Sequence, residues 1–261
     1  MIERALAGVL LAGAIAFGAR AARSLSTSGA IAALIVGTAS VIAGWSWALI
    51  LIVFFLTSSG LSKFRRAARD ARIGDVVEKG DERDAYQVLA NGGVFGAAAL
   101  AATLTGNTVW GIVALGALAA AASDTWATEI GTLAGASPRS IITLQRLPAG
   151  TSGGVTLPGT LASFVGAAFI ALLAWVTNTA PAALAVVAVF VGGVAGSFAD
   201  SLVGATVQER RWCDACSKAT ERRVHSCGAP TRVVGGLPGA RNDFVNVVCT
   251  IVGGTVAAVI A

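Results

Sequence analysis

Two aspartates end long apolar stretches of the chain. Asp124 follows the apolar run 109–122, and Asp200 follows the run 182–194. A charged side chain at bilayer depth costs about 2.5 kcal/mol or more, so an acid in such a position indicates a functional site. The alternative is a pair of acids that reach the membrane surface and have no function. We expect the fold to bring Asp124 and Asp200 together at the inner face of the membrane.

Glu129 is a third acid, five residues after Asp124. On an ideal helix the two side chains point in different directions, so they cannot bind one ion unless the helix is distorted. If the helix is regular, Glu129 has a separate role, such as orienting the side chains that bind the metal. Thr128, Gly131 and Gly135 recur on the face of Asp124, and this stripe of small residues leaves room for a ligand or a closely packed helix.

The elements that position these acids are membrane helices. Hydrophobic residues make up 55% of the chain and charged residues 13%, a composition typical of a polytopic α-helical membrane protein. We predict an all-α fold, in which residues 1–261 form a single integral membrane domain with seven or eight transmembrane helices, some of them short. The apolar runs are 5–18, 31–43, 45–56, 94–104, 109–122, 155–176, 182–194 and 244–261.

Two of these assignments have alternatives. The run 5–18 is either the core of a signal peptide or a helix, and we predict a helix because no clear cleavage site follows it. The runs 31–43 and 45–56 form either a hairpin broken near Gly44, which gives eight crossings, or one long helix, which gives seven. The charge distribution favours eight.

The net charge of +5 comes mainly from four segments, 20–23, 63–83, 139–146 and 210–241. Basic residues in alternate connections are the pattern of cytoplasmic loops and of contact with anionic lipid. This pattern predicts a protein of a prokaryotic-type inner membrane with cytoplasmic polar loops, and it gives no support for a nucleic-acid partner. The sequence leaves open whether the chain forms a homodimer.

The first polar connection combines cations with small polar residues. Lys63, Lys79 and Arg83 precede Asp84 and Gln87, and an Asn91-Gly92-Gly93 sequence is expected to open the next helix. Backbone N–H groups at a helix N-terminus together with a cation form an anion site. The alternative is a solvated basic loop that ends in a turn.

The next inner loop carries Gly150-Thr151-Ser152-Gly153-Gly154, preceded by Arg146. Its donors and permissive glycines are suited to wrapping a phosphate, although helix capping by Thr151 or Ser152 explains the same residues. Asn242, Asp243 and Asn246 place further polar groups where the last helix enters the membrane.

The loop 208–241 has the most specific local pattern. Cys213 and Cys216 form a CxxC, and His225 and Cys227 follow as HxC. Four such ligands fill a closed tetrahedral zinc site, so we predict a small cytoplasmic knuckle with structural zinc. A disulfide or unrelated free thiols are the alternatives.

Taken together, the motifs 79–93, 124–131, 148–154, 200–208, the cysteine knuckle and 242–246 resemble the membrane family that includes plant phytyl-phosphate kinase and animal transmembrane protein 19. The resemblance covers nearly the whole chain from about Leu25. It implies a kinase that transfers a phosphoryl group from a nucleoside triphosphate, with CTP favoured, to an isoprenyl monophosphate such as phytyl or geranylgeranyl phosphate.

This chemistry needs a divalent metal and donors that offset the charge of the phosphates, and carboxylates suit Mg²⁺. The loops and the resemblance together assign catalytic roles to Asp124, Asp200, Lys63, Arg83 and Asp243; nucleotide or substrate binding to Lys79, Asp84, Gln87, Asn91, Gly92, Gly93, Glu129, Arg146, Gly150, Thr151, Ser152, Gly153, Gly154, Asn242 and Asn246; and Mg²⁺ binding to Asp124, Glu129 and Asp200.

Other functions fit the same residues. An ion-coupled transporter or lipid flippase would use the membrane acids to bind a cation or proton. A polyprenol kinase would act on the free alcohol. A non-catalytic scaffold would depend on the cysteine cluster and not on the aspartates.

Overall fold

The fold is a bundle of α-helices. The computed structural model describes residues 1–64, 71, 73–76 and 82–261, so Lys79 lies outside the described residues. The helices in these parts are α1 (Ile2–Ala21), α2 (Thr27–Ala43), α3 (Trp45–Lys63), α4 (Ala85–Thr105), α5 (Thr108–Leu133), α6 (Leu157–Val176), α7 (Ala183–Thr206) and α8 (Asn242–Ile260). Seven are long and apolar enough to cross a membrane, and α2 is shorter. The predicted all-α membrane architecture is confirmed.

The break predicted near Gly44 is present. Gly44 has φ +150° and lies between the end of α2 and the start of α3. This backbone conformation is one that glycine adopts easily and other residues rarely do. The apolar stretch 31–56 therefore forms two helices and not one.

The start of α4 differs from the prediction. The Asn91-Gly92-Gly93 sequence lies inside the helix and does not open it. Asp84 is the N-cap: its side chain accepts from the backbone N–H of Gln87 at 3.0 Å, and the Gln87 side chain accepts from the N–H of Asp84 at 3.1 Å. This capping box satisfies two otherwise unpaired donors and starts the helix nine residues before the apolar run.

Helix α5 lies at the centre of the bundle, where it packs against α4, α6, α7 and α8. Its residues 114–123 are buried, and they are nearly all small. Glycines on the neighbouring helices let the backbones approach closely: a Cβ added to Gly196 would lie 2.4 Å from Cβ of Ala120, and one added to Gly166 would lie 2.9 Å from the oxygen of Ala122. Close backbone contact of this kind holds helices together in lipid.

The polar connections are gathered at one end of the bundle, because successive helices alternate in direction. Short strands occur there: β1 (Arg139–Ser140) pairs with β2 (Gly154–Val155), and β3 (Arg210–Cys213) lies between β4 (Lys218–Thr220) and β5 (Arg232–Gly235). All pairs are antiparallel. The described parts of the four basic segments connect helices at this same end.

Candidate active site

A cavity of about 590 Å³ lies at the end of the bundle that carries these connections. Residues of α3 to α8, of the connections 135–138 and 147–156, and of the loop 208–241 line it, together with Ile73 and Arg83. Its size is within the range of small-molecule sites in proteins. The sequence-predicted residues that line it are Arg83, Gln87, Asn91, Asp124, Glu129, Gly150, Thr151, Ser152, Gly153, Gly154, Asp200, Asn242, Asp243 and Asn246.

Asp124 and Asp200 meet in this cavity although they are 76 residues apart in sequence. Their carboxyl groups interact directly with each other. Oδ1 of Asp200 is buried and has no hydrogen-bond partner within the described residues. Two adjacent carboxylates repel each other, and a buried acceptor without a donor is costly, so a cation between them would relieve both costs. The donor set is hard oxygen, which fits Mg²⁺.

Neighbouring contacts hold the α5 acid in place. The Ser123 hydroxyl donates to the backbone oxygen of Ser163 on α6 at 2.8 Å. About two turns further on, a Cβ added to Gly131 would lie 2.9 Å from Oγ1 of Thr156. The small-residue stripe below Asp124 therefore receives the start of α6 and also borders the cavity.

Glu129 occupies a different part of the cavity. The Ser62 hydroxyl donates to its Oε1 at 2.7 Å, and the residue is buried. The three acids do not form a metal-type cluster: within the described ranges, the group that brings three or more such ligand atoms within 4.8 Å of one another is the cysteine–histidine group. The helix continues through both acids, so its geometry separates Glu129 from Asp124.

The glycine loop 150–154 packs against α7, which carries Asp200. Gly150 and Gly153 have φ of +79° and +76°. A Cβ added to Gly153 would lie 2.6 Å from Cα of Ala205, so the loop backbone lies directly on the helix. The Ser152 hydroxyl donates to Oε1 of Glu221 at 2.6 Å, and Nε2 of Gln208 donates to the same oxygen at 2.8 Å.

Several predicted residues lie elsewhere. Lys63, the last residue of α3, donates from Nζ to the backbone oxygen of Ala22 at 2.9 Å. It therefore joins the end of α3 to the C-cap of α1 and does not line the cavity. Asp84 caps α4. Arg146 forms an isolated bridge with Arg139 next to the β1–β2 pair and is absent from the cavity lining. Arg241, at the N-cap of α8, lines the cavity with Arg83.

Two glycines also differ from their predicted roles. Gly92 lines a separate apolar cavity, and Gly93 lines neither cavity. Both lie in the regular part of α4, where their backbone N–H groups belong to the helix interior. They therefore do not form the N-terminal anion cradle that the sequence suggested.

The four predicted metal ligands of the loop 208–241 come together. Ligand atoms of Cys213, Cys216, His225 and Cys227 lie within 4.8 Å of one another. The Sγ atoms of Cys213 and Cys227 are 3.7 Å apart, close to the edge of about 3.8 Å that a tetrahedron with Zn–S bonds of about 2.3 Å requires. The group can bind a metal such as zinc.

The electrostatics of this cluster agree with metal binding. A hydrogen bond from the Ala229 backbone, with help from His225, lowers the pKa of Cys227 to about 6. The contact with Cys227 raises the pKa of Cys216 to about 11, because the neighbouring sulfurs cannot easily all ionise. A divalent cation would stabilise the thiolates together, and thiolates are the metal-binding form of cysteine.

A family model described as integral membrane protein DUF92 matches residues 10–254. The chain belongs to this family. The predicted membership of a known membrane family is thus confirmed. No solved structure matches this DUF92 chain.

Curated relatives match over most of their length. Protein PGR of Arabidopsis thaliana is 32% identical over 271 residues, covering 94% of this DUF92 chain and 92% of the relative. An uncharacterized membrane protein of Methanocaldococcus jannaschii is 29% identical over 262 residues, covering 98% and 94%. These matches extend across the helices, the glycine loop and the cysteine segment alike.

The structure adds cavity residues that the sequence of this DUF92 protein did not single out. Ser62 and Glu221 hydrogen-bond to predicted site residues, and Gln208 binds Glu221. Gln208 ends the motif 200–208, which is a weak signal for its position. Glu221 follows β4 in a stretch rich in charge, and no local pattern separates it from its neighbours.

Proposed function

We propose that this DUF92 protein transfers a phosphoryl group from a nucleoside triphosphate, with CTP the favoured donor, to an isoprenyl monophosphate. The product is the isoprenyl diphosphate. The observation that carries the proposal is the meeting of Asp124 and Asp200 around a buried carboxylate oxygen that has no hydrogen-bond partner in the described part of the chain. The same cavity also contains a glycine-rich loop and two arginines.

Each part of the cavity has a place in this reaction. An oxygen of the acceptor phosphate bonds to the γ-phosphorus while the bond from that phosphorus to the β–γ bridging oxygen breaks, and the nucleoside diphosphate leaves. The acceptor oxygen is already anionic, so little proton transfer is required. Arg83 and Arg241 offset the charge of the phosphates, and Asp243 and Asn242 position the acceptor.

Asp124 and Asp200 would hold Mg²⁺, and this ion supplies charge neutralisation at the phosphate oxygens when bound. Backbone N–H groups of residues 150–154 cradle the phosphates, since glycine lets the backbone approach a ligand closely. Glu129, held by Ser62, shapes the wall of the cavity. The Cys₃His group takes structural zinc, because its four positions leave no open site for chemistry.

The location of the cavity is part of the proposal. We place the polar end of the bundle, with its four basic segments, at the cytoplasmic face of a prokaryotic-type inner membrane. Nucleotide then reaches the site from the cytoplasm, and the lipid acceptor reaches it from the bilayer. A polyprenol kinase would share this arrangement but phosphorylate the free alcohol.

The test uses full-length protein purified in detergent or nanodiscs. Incubation with labelled CTP, MgCl₂ and phytyl or geranylgeranyl phosphate should give the labelled diphosphate on thin-layer chromatography. Asp124→Asn and Asp200→Asn should each lower the rate at least about 100-fold, the size of loss seen when a group that stabilises transition-state charge is removed. Glu3→Gln, at an exposed acid in the first turn of α1, is the matched control and should retain the rate.

Two outcomes would overturn the proposal. One is the absence of product with every nucleotide and chain length tried. The other is full activity of both aspartate variants. Substrate counterflow into liposomes without nucleotide consumption would instead establish a transporter or flippase, and phosphorylation of the free alcohol alone would establish a polyprenol kinase.

A further inference from the structure

A second cavity, of about 130 Å³, lies beside the polar one. Its walls come mainly from apolar side chains of α1, α2, α3 and α4, among them Leu11, Ile15, Val36, Leu51 and Phe54. Arg83 is the single charged residue in its lining, which is drawn from the described parts of the chain. The cavity is therefore suited to an apolar group that is joined to an anion.

The two cavities share part of their walls. Arg83, Gln87, Asn91 and Thr125 line both of them. Gln87 and Asn91 are one turn apart on α4, and Nδ2 of Asn91 donates to the backbone oxygen of Gln87 at 3.0 Å. A ligand that spans the junction would place an anionic head beside Arg83 and the two amides, and its tail among the apolar side chains.

We propose that the apolar cavity binds the first isoprenyl unit of the acceptor, with the acceptor phosphate at Arg83, Gln87 and Asn91. This inference rests on the proposed function, because it names the site of that reaction's lipid substrate. In this assignment α1 to α4 hold the tail of the acceptor, Asn242 and Asp243 of α8 help to position its phosphate, and the aspartates of α5 and α7 serve the metal and nucleotide together with the glycine loop.

The volume limits how much of the tail is recognised. A buried cavity of about 150 Å³ accommodates a benzene ring, so the volume here holds roughly one five-carbon unit. The remaining units extend into the lipid. The protein then recognises the branched unit next to the phosphate and is largely indifferent to the length of the chain.

One experiment reads tail binding independently of catalysis. Geranylgeranyl phosphate that carries a photoreactive diazirine on its first isoprenyl unit is irradiated with the full-length protein in nanodiscs, without nucleotide. Mass spectrometry should place the cross-links on α1 to α4 at residues of the apolar cavity. Cross-links confined to other helices would overturn the inference.

A pair of matched variants tests the same cavity. Ala33 lines it, and Ala33→Leu adds three carbons to its space. Ala14 is exposed on α1 and lines neither cavity, so Ala14→Leu is the control. Ala33→Leu should lower the cross-linking yield at least tenfold and raise KM for the prenyl phosphate at least tenfold, with KM for CTP unchanged. Ala14→Leu should change neither value.

A series of substrates distinguishes a cavity specific for an isoprenyl unit from a general lipid groove. Geranyl, farnesyl and geranylgeranyl phosphate should differ by less than about threefold in kcat/KM, and a straight-chain alkyl phosphate should compete at least tenfold less well with the photoprobe. Equal competition by the straight chain would show a general lipid groove and overturn the inference. Specific cross-linking without any kinase product would overturn the proposed reaction but keep the prenyl-phosphate site. Kinase activity in which Ala33→Leu and Ala14→Leu have the same cross-linking yield and the same KM for the prenyl phosphate would keep the reaction but overturn this site.

Discussion

Replacing Gly153 by alanine tests whether the glycine loop must lie directly on α7. Gly153 has φ +76°, and a Cβ on this backbone would lie 2.4 Å from Cβ, 2.6 Å from Cα and 2.7 Å from N of Ala205. Two of these three atoms belong to helix backbone, which cannot rotate away. Gly153→Ala should therefore displace the loop from α7, and α7 is the helix that carries Asp200.

The magnitude has two parts. An L-residue in the left-handed region costs about 1–2 kcal/mol, and forcing extra atoms into a packed contact costs typically 1–3 kcal/mol. Gly106→Ala separates them, because Gly106 has φ +69° but no atom of the described residues lies within 4 Å of an added Cβ. The contact part alone, about 1–3 kcal/mol, lowers the population in which the loop packs on α7 by roughly 5- to 150-fold, since 1.4 kcal/mol is about tenfold.

The assay compares the two variants with the unaltered protein. Thermal unfolding, followed by tryptophan fluorescence, measures the loss of stability. Titration with CTP in the presence of Mg²⁺ measures the nucleotide affinity that depends on the position of the loop. Gly153→Ala should weaken CTP binding about 5- to 150-fold, and Gly106→Ala, at the opposite end of the bundle between α4 and α5, should leave it unchanged.

Equal CTP affinity in the two variants would refute the reasoning. If Gly153→Ala also unfolded at the same temperature as Gly106→Ala, the loop would not be packed on α7 as described. If it unfolded earlier but bound CTP normally, the packing would stand and the phosphate role of the loop would fall.

Three further predictions concern the metal cluster, an acid of the polar end and the helix packing. Elemental analysis of the unaltered protein should give about one equivalent of zinc per chain. Cys213→Ser should lose this zinc, whereas Cys249→Ala, at a buried cysteine of α8, should keep it. The Gly239 backbone N–H and Arg211 hold the pKa of Glu209 below its ordinary value near 4.5. The ionised Glu209 therefore stabilises the fold above that pH, and this stabilisation is lost as the pH falls through the lower pKa of the folded protein. Glu209→Gln should flatten the acid side of the curve of unfolding temperature against pH, and an unchanged slope would contradict this. A Cβ on Gly192 would lie 2.4 Å from the oxygen of Gly253, so Gly192→Ala should destabilise the α7–α8 contact by about 1–3 kcal/mol in denaturant titrations. Gly18→Ala is the control: its Cβ would meet no atom of the described residues within 4 Å, and it should not destabilise the protein.

Much of the fold could be predicted because its determinants are local. Runs of apolar residues between polar connections predicted the helices, and the unusual backbone at Gly44 coincides with the break that the charge distribution favoured. The start of α4 was misplaced, because the run of hydropathy begins later than the capping box of Asp84 and Gln87. A cap depends on two side chains and leaves little trace in average hydropathy.

The site could be predicted only in part. Asp124 and Asp200 stand out because acids are rare in apolar stretches, and the cysteines and histidine stand out by spacing. Lys63 was assigned to the site by its charge and the small polar residues beside it, yet it donates to the backbone oxygen at the C-cap of α1. Glu221 was missed because its contacts, to Ser152 and Gln208, come from 69 and 13 residues away in sequence.

By itself, the sequence determined that this chain is a membrane helix bundle with its polar connections at one end, since burial in lipid is decided by each stretch of about 20 residues separately. Only the tertiary structure decided which polar groups share a cavity and which apolar faces leave a space beside it. Those outcomes depend on how closely distant helices approach, and small residues such as Gly153 and Gly196 set that distance through contacts that no local pattern contains.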